Sequence, residues 1–405
     1  MLIVFLNKNI IYLIDFRNHS INKNLPLNYT YMKFHPYFLA ISGLLIWSCV
    51  EKDHIQLPNS ITQVELEDIS SDIQLISVKS SQPMKDVLFY YNFGEYDFIL
   101  SSDYRTIYCL EDDSIISVLE RVGRGRGEYQ GISTFAYSVE DSLMYVVDYN
   151  NKLYIYKGFD YEYIGIVDNL PQILSMRVVG KSHLLAACVI QDNEIEEQYG
   201  FVIIDTKTGT ISERLLSMSY IGMFSNKHTS YYQYNDSIYF SVGDNYLNRI
   251  YLYSNGEFTT QLEFTYSKKL RLPKRAIVDD PDDLSELLIF NNYVLGANRY
   301  CFGADYPILS SDGHRCLFWS FPEGGDNIMT SILNNKITRY HITIPGITGF
   351  VAPHYVSSDY YVMPCQDMKR NNRADSKHIS VLSEQIFEQI DKNEGNPVLL
   401  KFKIK

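Results

Sequence analysis

The sequence predicts an all-β fold, a six-bladed β-propeller, and three observations indicate it. First, residues 132–167 contain four short strand patterns separated by turn residues, and four antiparallel strands joined by tight turns form one propeller blade. Second, strand patterns recur from residue 61 onward at similar spacing. Third, residues 61–66 and 398–404 are strand-like segments near the two chain ends. We expect them to pair, because a propeller must close its ring or leave a sheet edge exposed.

The first three blades are predicted from four strand patterns each, with turn residues between them. The expected strands are residues 86–91, 96–100, 105–110 and 114–120 in blade one, 132–139, 143–148, 152–156 and 161–167 in blade two, and 173–179, 183–190, 200–205 and 210–217 in blade three. Asp148 ends a blade-two strand and is predicted to cap the following turn.

The later blades are less regular in sequence. The expected strands are a segment near Met223 with 231–234, 237–242, 249–253 and 257–264 in blade four, 287–295, 315–320 and 336–344 in blade five, and 349–355 and 360–363 in the last blade. Residues 272–286 carry two prolines and four aspartates and are predicted to form an inserted loop.

One short helix is predicted near the C-terminus, over residues 376–390. The apolar residues Ile379, Leu382, Ile386 and Ile390 recur at helical spacing, which places them on one face of a helix. Gly395 and Pro397 then follow in the order expected after a helix end.

The N-terminal region is predicted to be an export signal rather than part of the propeller. Lys33, the apolar run 38–47 and the ending Ile46-Trp47-Ser48-Cys49 are similar to a bacterial lipoprotein signal with its lipobox. We therefore interpret residues 1–31 as a gene-model extension, 32–48 as the signal peptide, 49–60 as a tether and 61–405 as the propeller. Cys49 is the expected lipidation site. A plain signal peptide and a buried apolar strand are the alternatives.

The charge of the chain excludes one class of partner. The formal net charge is −12, and removing residues 1–48 leaves −15, because that segment carries a net +3 (Lys8, Arg17, Lys23 and Lys33 against Asp15). A chain this acidic has no overall attraction for nucleic acid or anionic lipid. We expect no nucleic-acid partner, and membrane attachment only through the lipid on Cys49.

No pattern in the chain predicts a catalytic residue, a metal site or a cofactor. HExxH, GxSxG and SxxK motifs are missing, and the cysteines are too widely spaced for a metal knuckle. Cys188 lies in an apolar run and is predicted to be a buried free thiol. A Cys301–Cys316 disulfide is an alternative for those two residues. The acidic run 279–283 could bind calcium, but a solvated loop is the preferred interpretation.

The glycine loop 123–128 is the one candidate ligand site. Successive backbone N–H groups in such a loop can bind an anion, and Arg124 and Arg126 could project toward the axial channel and attract an acidic partner. Glu128, the third candidate residue, stands where a dinucleotide-binding fingerprint needs its last glycine. The alternative is that the glycines only let the chain cross between blades.

The segment Val122-Gly123-Arg124-Gly125-Arg126-Gly127-Glu128-Tyr129 resembles a loop of the six-bladed β-propeller lipoproteins of Bacteroidota, an NHL-like propeller family. The strands Leu143-Met144-Tyr145-Val146-Val147-Asp148 and Leu153-Tyr154-Ile155-Tyr156 and the ending Asn396-Pro397-Val398-Leu399-Leu400-Lys401-Phe402-Lys403 resemble the same family. Arg126 departs from it, since relatives commonly have proline there. The resemblance implies an outer-membrane lipoprotein, at the cell surface or on the periplasmic face, with a binding or scaffolding role.

The expected function is therefore a lipid-anchored binding module for an unknown ligand or envelope protein, with glycans or peptides as the candidate ligand classes. The 34 tyrosines could stack on sugars, but their strand propensity explains them equally well. The alternatives are a glycan-active hydrolase or lyase on a propeller scaffold, and a structural subunit of an envelope complex.

Overall fold

The computed structural model describes residues 2–7, 10–15, 55–80, 84–192, 197–218, 230–234, 237–241, 249–265, 302–309, 315–321, 328–334, 336–348, 355–357, 359–366, 368–371, 379–393 and 395–405. The chain forms two compact units, Met1–Asp53 and His54–Lys405. In the first unit, β1 (Leu2–Asn7) and β2 (Ile10–Asp15) form an antiparallel hairpin.

The second unit begins with four short elements and continues into three regular blades. The opening elements are β3 (Ile55–Gln56), β4 (Thr62–Glu65), α1 (Leu66–Ile69) and β5 (Ser70–Ser77). Blade one contains β6 (Val87–Phe93), β7 (Tyr96–Ser101), β8 (Ile107–Glu111) and β9 (Ser114–Leu119). Blade two contains β10 (Ile132–Ser138), β11 (Leu143–Asp148), β12 (Leu153–Lys157) and β13 (Glu162–Val167). Blade three contains β14 (Gln172–Val179), β15 (His183–Asp192), β16 (Glu197–Asp205) and β17 (Ile211–Met218).

Three further blades complete the six. Blade four contains β18 (Ser230–Tyr234), β19 (Ser237–Ser241), β20 (Arg249–Ser254) and β21 (Glu257–Thr265). Blade five contains β22 (Phe302–Leu309), β23 (Arg315–Phe321), β24 (Ile328–Leu333) and β25 (Lys336–Thr343). A two-stranded sheet follows, formed by β26 (Ile347–Thr348) and β29 (Lys369–Arg370). Blade six contains β27 (Tyr355–Ser357), β28 (Tyr360–Pro364), β30 (Val398–Ile404) and β5, and α2 (Val381–Lys392) precedes β30.

The six-bladed propeller predicted from the sequence is confirmed, and so are all the strands predicted for blades one to three. The strands β22 and β24 of blade five were not predicted. The predicted strands near Met223 and at 287–295, and the predicted loop 272–286, lie outside the described residues. Most of the contacts between blades involve the first strands β6, β10, β14, β18, β22 and β27, which indicates that the first strand of each blade is innermost.

The ring closes where β30, at the C-terminus, pairs with β5. The two strands are antiparallel, with Leu400 opposite Leu75, so the predicted closure by strands from the two ends is confirmed. The predicted partner, residues 61–66, was wrong. Thr62–Glu65 instead pairs in parallel with β25 of blade five, and the turn of helix at α1 separates it from the closing strand.

The first residues of the second unit, 55–65, extend the outer edges of blades four and five. The chain then enters the closing blade. β3 adds a parallel strand to β21 of blade four, and the Leu57 N–H donates to the Thr265 carbonyl at 2.9 Å. Leu57 is buried, and Arg339 of blade five donates to the Pro58 carbonyl at 3.0 Å. Residues 55–58, expected to be part of a tether, are thus packed against the propeller.

The predicted C-terminal helix is present and starts later than the sequence suggested. The Ser380 side chain accepts a hydrogen bond from the Ser383 N–H at 3.1 Å, an N-cap that fixes the first helical residue at Val381. Leu382 and Ile386 face the core, as their spacing predicted.

The described cysteines are all free and buried: Cys109, Cys188, Cys316 and Cys365. The prediction of a buried free thiol at Cys188 is confirmed. Cys316 has no disulfide, and its suggested partner, Cys301, lies outside the described residues.

Candidate functional site

The glycine loop connects the last strand of blade one to the first strand of blade two, and its backbone is tied closed. The Gly123 N–H donates to the Tyr129 carbonyl at 3.0 Å, and the Tyr129 N–H donates to the Arg121 carbonyl at 2.9 Å. The Glu128 N–H donates to the Gly125 carbonyl at 3.1 Å. These bonds form a compact turn between two paired segments.

The carboxylate of Glu128 folds back into this turn. Its Oε2 accepts a hydrogen bond of 2.7 Å from the Gly125 N–H. A Cβ atom at Gly123 would overlap the same carboxylate, so this close approach requires glycine. The loop's own carboxylate therefore occupies the place that an external anion would take in a backbone nest.

Two buried tyrosines hold the loop against blade two and blade one. The Tyr156 hydroxyl donates to the Gly127 carbonyl at 3.0 Å. The Tyr129 hydroxyl donates to the Arg105 carbonyl at 2.8 Å and accepts from the Arg121 N–H at 3.2 Å. Burial is the main cause that raises the pKa of both tyrosines, so both remain neutral donors at physiological pH.

Arg124 and Arg126 are both exposed beside a cavity of about 350 Å³ that the loop shares with blade two. The Arg126 guanidinium carbon lies 5.8 Å from the ring centroid of Tyr163. The sequence suggested that Arg126 projects toward the axial channel. It does not, because Tyr163 belongs to the outermost strand of blade two. Among the described residues, neither arginine forms an ion pair with a carboxylate.

The other charged side chains that line this cavity, besides Glu128, also have partners. Asp148 is fully buried, and its Oδ1 accepts from the N–H groups of Asn150 at 2.8 Å and Lys152 at 3.0 Å. It caps the β11–β12 turn, as predicted. The Lys152 ammonium lies 3.5 Å from Asp168. The two arginines are therefore the charged groups at this site that remain available to a ligand.

A second polar cluster, near the axis, was missed by the sequence interpretation. Arg177, on the innermost strand of blade three, is only 6% exposed. Its guanidinium carbon lies 5.0 Å from the ring centroid of Tyr91, 4.7 Å from that of Phe93 and 4.9 Å from that of Tyr231. The only available sign in the sequence was an arginine within the otherwise uncharged strand Gln172–Val179.

The aromatic contacts offset much of the cost of burying Arg177. Each desolvated cation–π contact contributes about 2 kcal/mol, and the effective penalty for burying an ion is on the order of several kcal/mol. One hydrogen bond, from Nη1 to the Met176 carbonyl at 3.2 Å, adds to the favourable side. Within the described parts of the chain, no carboxylate forms an ion pair with it.

The described residues lack a metal-binding cluster and a helix that could span a membrane. No group of three or more His, Cys, Asp or Glu side chains is placed to hold a metal ion. No described helix has both the length and the apolar character needed to cross a bilayer.

Comparison with known proteins supports the fold. The sequence model of a six-bladed beta-propeller family (DUF5128) matches residues 98–282. A Bacteroides fragilis protein described as exported is similar in structure, with a TM-score of 0.63 at 16% identity, covering 87% of this chain and 99% of that one. A DUF4221 family member from Bacteroides vulgatus has a TM-score of 0.53 at 10% identity, covering 83% and 98%. No match was found among curated proteins. At these identities, the similarity shows the fold.

Proposed function

We propose that this six-bladed propeller is a binding module of the bacterial cell envelope that recognises an acidic group on a glycan or peptide at Arg124 and Arg126. The observation that carries the proposal is that Glu128 is hydrogen-bonded within its own loop. Its carboxylate accepts the Gly125 N–H inside the loop at 2.7 Å, so the nearest acidic residue is engaged by the backbone. The two arginines beside it remain exposed.

The setting of the arginines favours recognition over a purely solvated role. The loop that carries them is fixed by hydrogen bonds from Tyr129 and Tyr156, so little ordering entropy is lost when a ligand binds. Arginine binds carboxylates through two parallel N–H donors. Because the chain has a net charge of −12, a cationic site would stand out locally against an acidic background.

The test is binding of the purified full chain to arrays of carboxylated and neutral glycans and of acidic and neutral peptides. We expect the carboxylated members to bind, and the double variant Arg124→Ala/Arg126→Ala to lose about tenfold or more in affinity. The matched control is Lys157→Ala/Lys207→Ala, which removes two exposed cations elsewhere and should bind like the wild type. Equal binding by both double variants would refute the arginine site.

We propose in addition that the chain is anchored to the outer membrane through lipid on Cys49. The lipobox-like ending Ile46-Trp47-Ser48-Cys49 supports this, and the similar B. fragilis protein is itself described as exported. Cys49 lies outside the described residues. Metabolic labelling with an alkyne fatty acid should label the wild type in the membrane fraction and leave Cys49→Ser unlabelled. A labelled Cys49→Ser variant would exclude this anchor.

A further inference from the structure

The cluster around Arg177 brings together four innermost strands. Tyr91 and Phe93 come from blade one, Thr134 from blade two, Arg177 from blade three and Tyr231 from blade four. All five residues are at least nine-tenths buried. The Arg177 guanidinium thus contacts residues of several blades. Among the described residues, no carboxylate forms an ion pair with it.

The hydroxyl groups of the cluster do not supply the missing negative charge. Burial raises the pKa of Tyr91 to about 12, against the opposing effects of Arg177 and Thr134, so the phenol stays protonated at neutral pH. The Tyr91 and Thr134 hydroxyls are buried without a hydrogen-bond partner of good geometry. The Tyr231 hydroxyl is already bonded to Ser175 at 3.2 Å.

The cluster is therefore rich in donors and poor in acceptors. The guanidinium carries five N–H donors, and among the described residues only Nη1 has an acceptor, the Met176 carbonyl. Tyr91 and Thr134 each add a buried O–H group. The two hydroxyls interact with each other, but neither has a hydrogen-bond partner of good geometry. A water molecule could accept from these donors, but it would leave the buried charge uncompensated.

We propose that this cluster is a binding site for a small monovalent anion of the halide class, held by the Arg177 guanidinium and the hydroxyls of Tyr91 and Thr134. A single compact anion accepts several donors at once and neutralises the cation. The rings of Tyr91, Phe93 and Tyr231 surround the guanidinium closely and so disfavour a larger ligand. The anion would contribute to the junction of the inner strands, and it is distinct from the ligand proposed for the glycine loop.

The test is thermal unfolding of the full chain at constant ionic strength, with sodium gluconate replaced stepwise by sodium chloride or bromide. We expect Tm to rise with halide concentration, because a ligand that binds only the folded state stabilises it by mass action. Tyr91→Phe and Thr134→Val should each raise the apparent halide Kd by about tenfold. Tyr145→Phe, which changes a buried tyrosine outside the cluster, should keep the wild-type dependence.

The direct variant, Arg177→Met, removes the charge but could fail to fold. A second measurement therefore locates the anion in the wild-type protein. Crystals grown in sodium bromide should show an anomalous peak within hydrogen-bond distance of the Arg177 guanidinium. A Tm that is the same in gluconate and in halide, together with the lack of such a peak, would overturn the proposal. Arg177 would then be held by its cation–π contacts and its hydrogen bond to the Met176 carbonyl, without a bound anion.

Discussion

Leu400 in the last strand lies directly opposite Leu75 in the closing blade, and the two side chains belong to the same hydrophobic core. These residues come from opposite ends of the second compact unit. Their pairing joins the end of that unit to the region near its start and removes the sheet edges that an open ring would expose.

Leu400→Ala tests the importance of this closure. The side chain is fully buried, so truncation should lower the free energy of unfolding by about 2–5 kcal/mol through lost burial and the cavity left behind. Urea unfolding followed by circular dichroism measures the change. The control is Val381→Ala, at a position that is 66% exposed and should change stability by less than about 0.5 kcal/mol. Equal effects of the two variants would contradict the assigned closure.

Gly127→Ala tests the packing of the glycine loop. Gly127 has a φ of +73°, and an added Cβ would lie 2.6 Å from the Tyr163 ring, so we expect a loss of about 2–3 kcal/mol from strain and overlap combined. Gly180 provides a matched control, because it has a φ of +61° but nothing within 4 Å of an added Cβ. Gly180→Ala should cost about 1 kcal/mol. If the two substitutions destabilise equally, Gly127 is required only for its backbone conformation.

Tyr129→Phe tests the hydrogen bonds beneath the loop. The change removes the hydroxyl that donates to the Arg105 carbonyl and accepts from the Arg121 N–H, while keeping the ring. Leaving these backbone groups without that partner should destabilise the protein by about 1–3 kcal/mol. We expect amide hydrogen exchange at residues 121–129 to accelerate more than exchange in blade five. Uniform acceleration over all blades would instead indicate global destabilisation.

The ion pair between Asp359 and Lys403 makes stability depend on pH in acid. Lys403 donates to the Asp359 carboxylate at 2.8 Å, and this hydrogen bond is the main cause that lowers the pKa of Asp359. A carboxyl pKa that is lower in the folded state stabilises the protein above the ordinary carboxyl pKa of about 4, and this stabilisation is lost as pH falls through the folded value.

Asp359→Asn should therefore cost most at neutral pH and little in strong acid. Both side chains are substantially exposed, at 48% for Asp359 and 34% for Lys403, so the cost at pH 7 should be under about 1 kcal/mol. Tm measured between pH 7 and pH 2 should converge with the wild type at the acid end. Glu257→Gln, at an exposed hairpin position, is the control. A pH profile for Asp359→Asn that stays parallel to the wild type would refute the assignment.

Local sequence patterns were sufficient for the regular part of the fold. Strand propensity and turn residues act over a few neighbouring positions, which is why blade two could be predicted between residues 132 and 167 and was found as β10–β13. The capping role of Asp148 was also predictable, because the N–H groups that donate to its carboxylate lie within four residues. The same holds for the helical face of Leu382 and Ile386.

Strand partners and burial across the ring could not be predicted in this way. Two neighbouring segments, residues 62–65 and 70–77, both form strands, and only the first was predicted to be one. Only the folded chain shows that the first extends blade five and the second closes blade six. The environment of Arg177 was hidden for the same reason, since its aromatic neighbours Tyr91 and Tyr231 lie in other blades.

By itself, the sequence determined that this chain folds into short antiparallel strands grouped in blades, because propensity and alternation are properties of neighbouring residues. The tertiary structure alone decided which strands close the ring, that Glu128 is engaged within its own loop, and that a buried arginine lies among rings from two other blades. Those features depend on contacts between residues far apart in sequence, whose free energy is set by packing and desolvation after the blades have assembled.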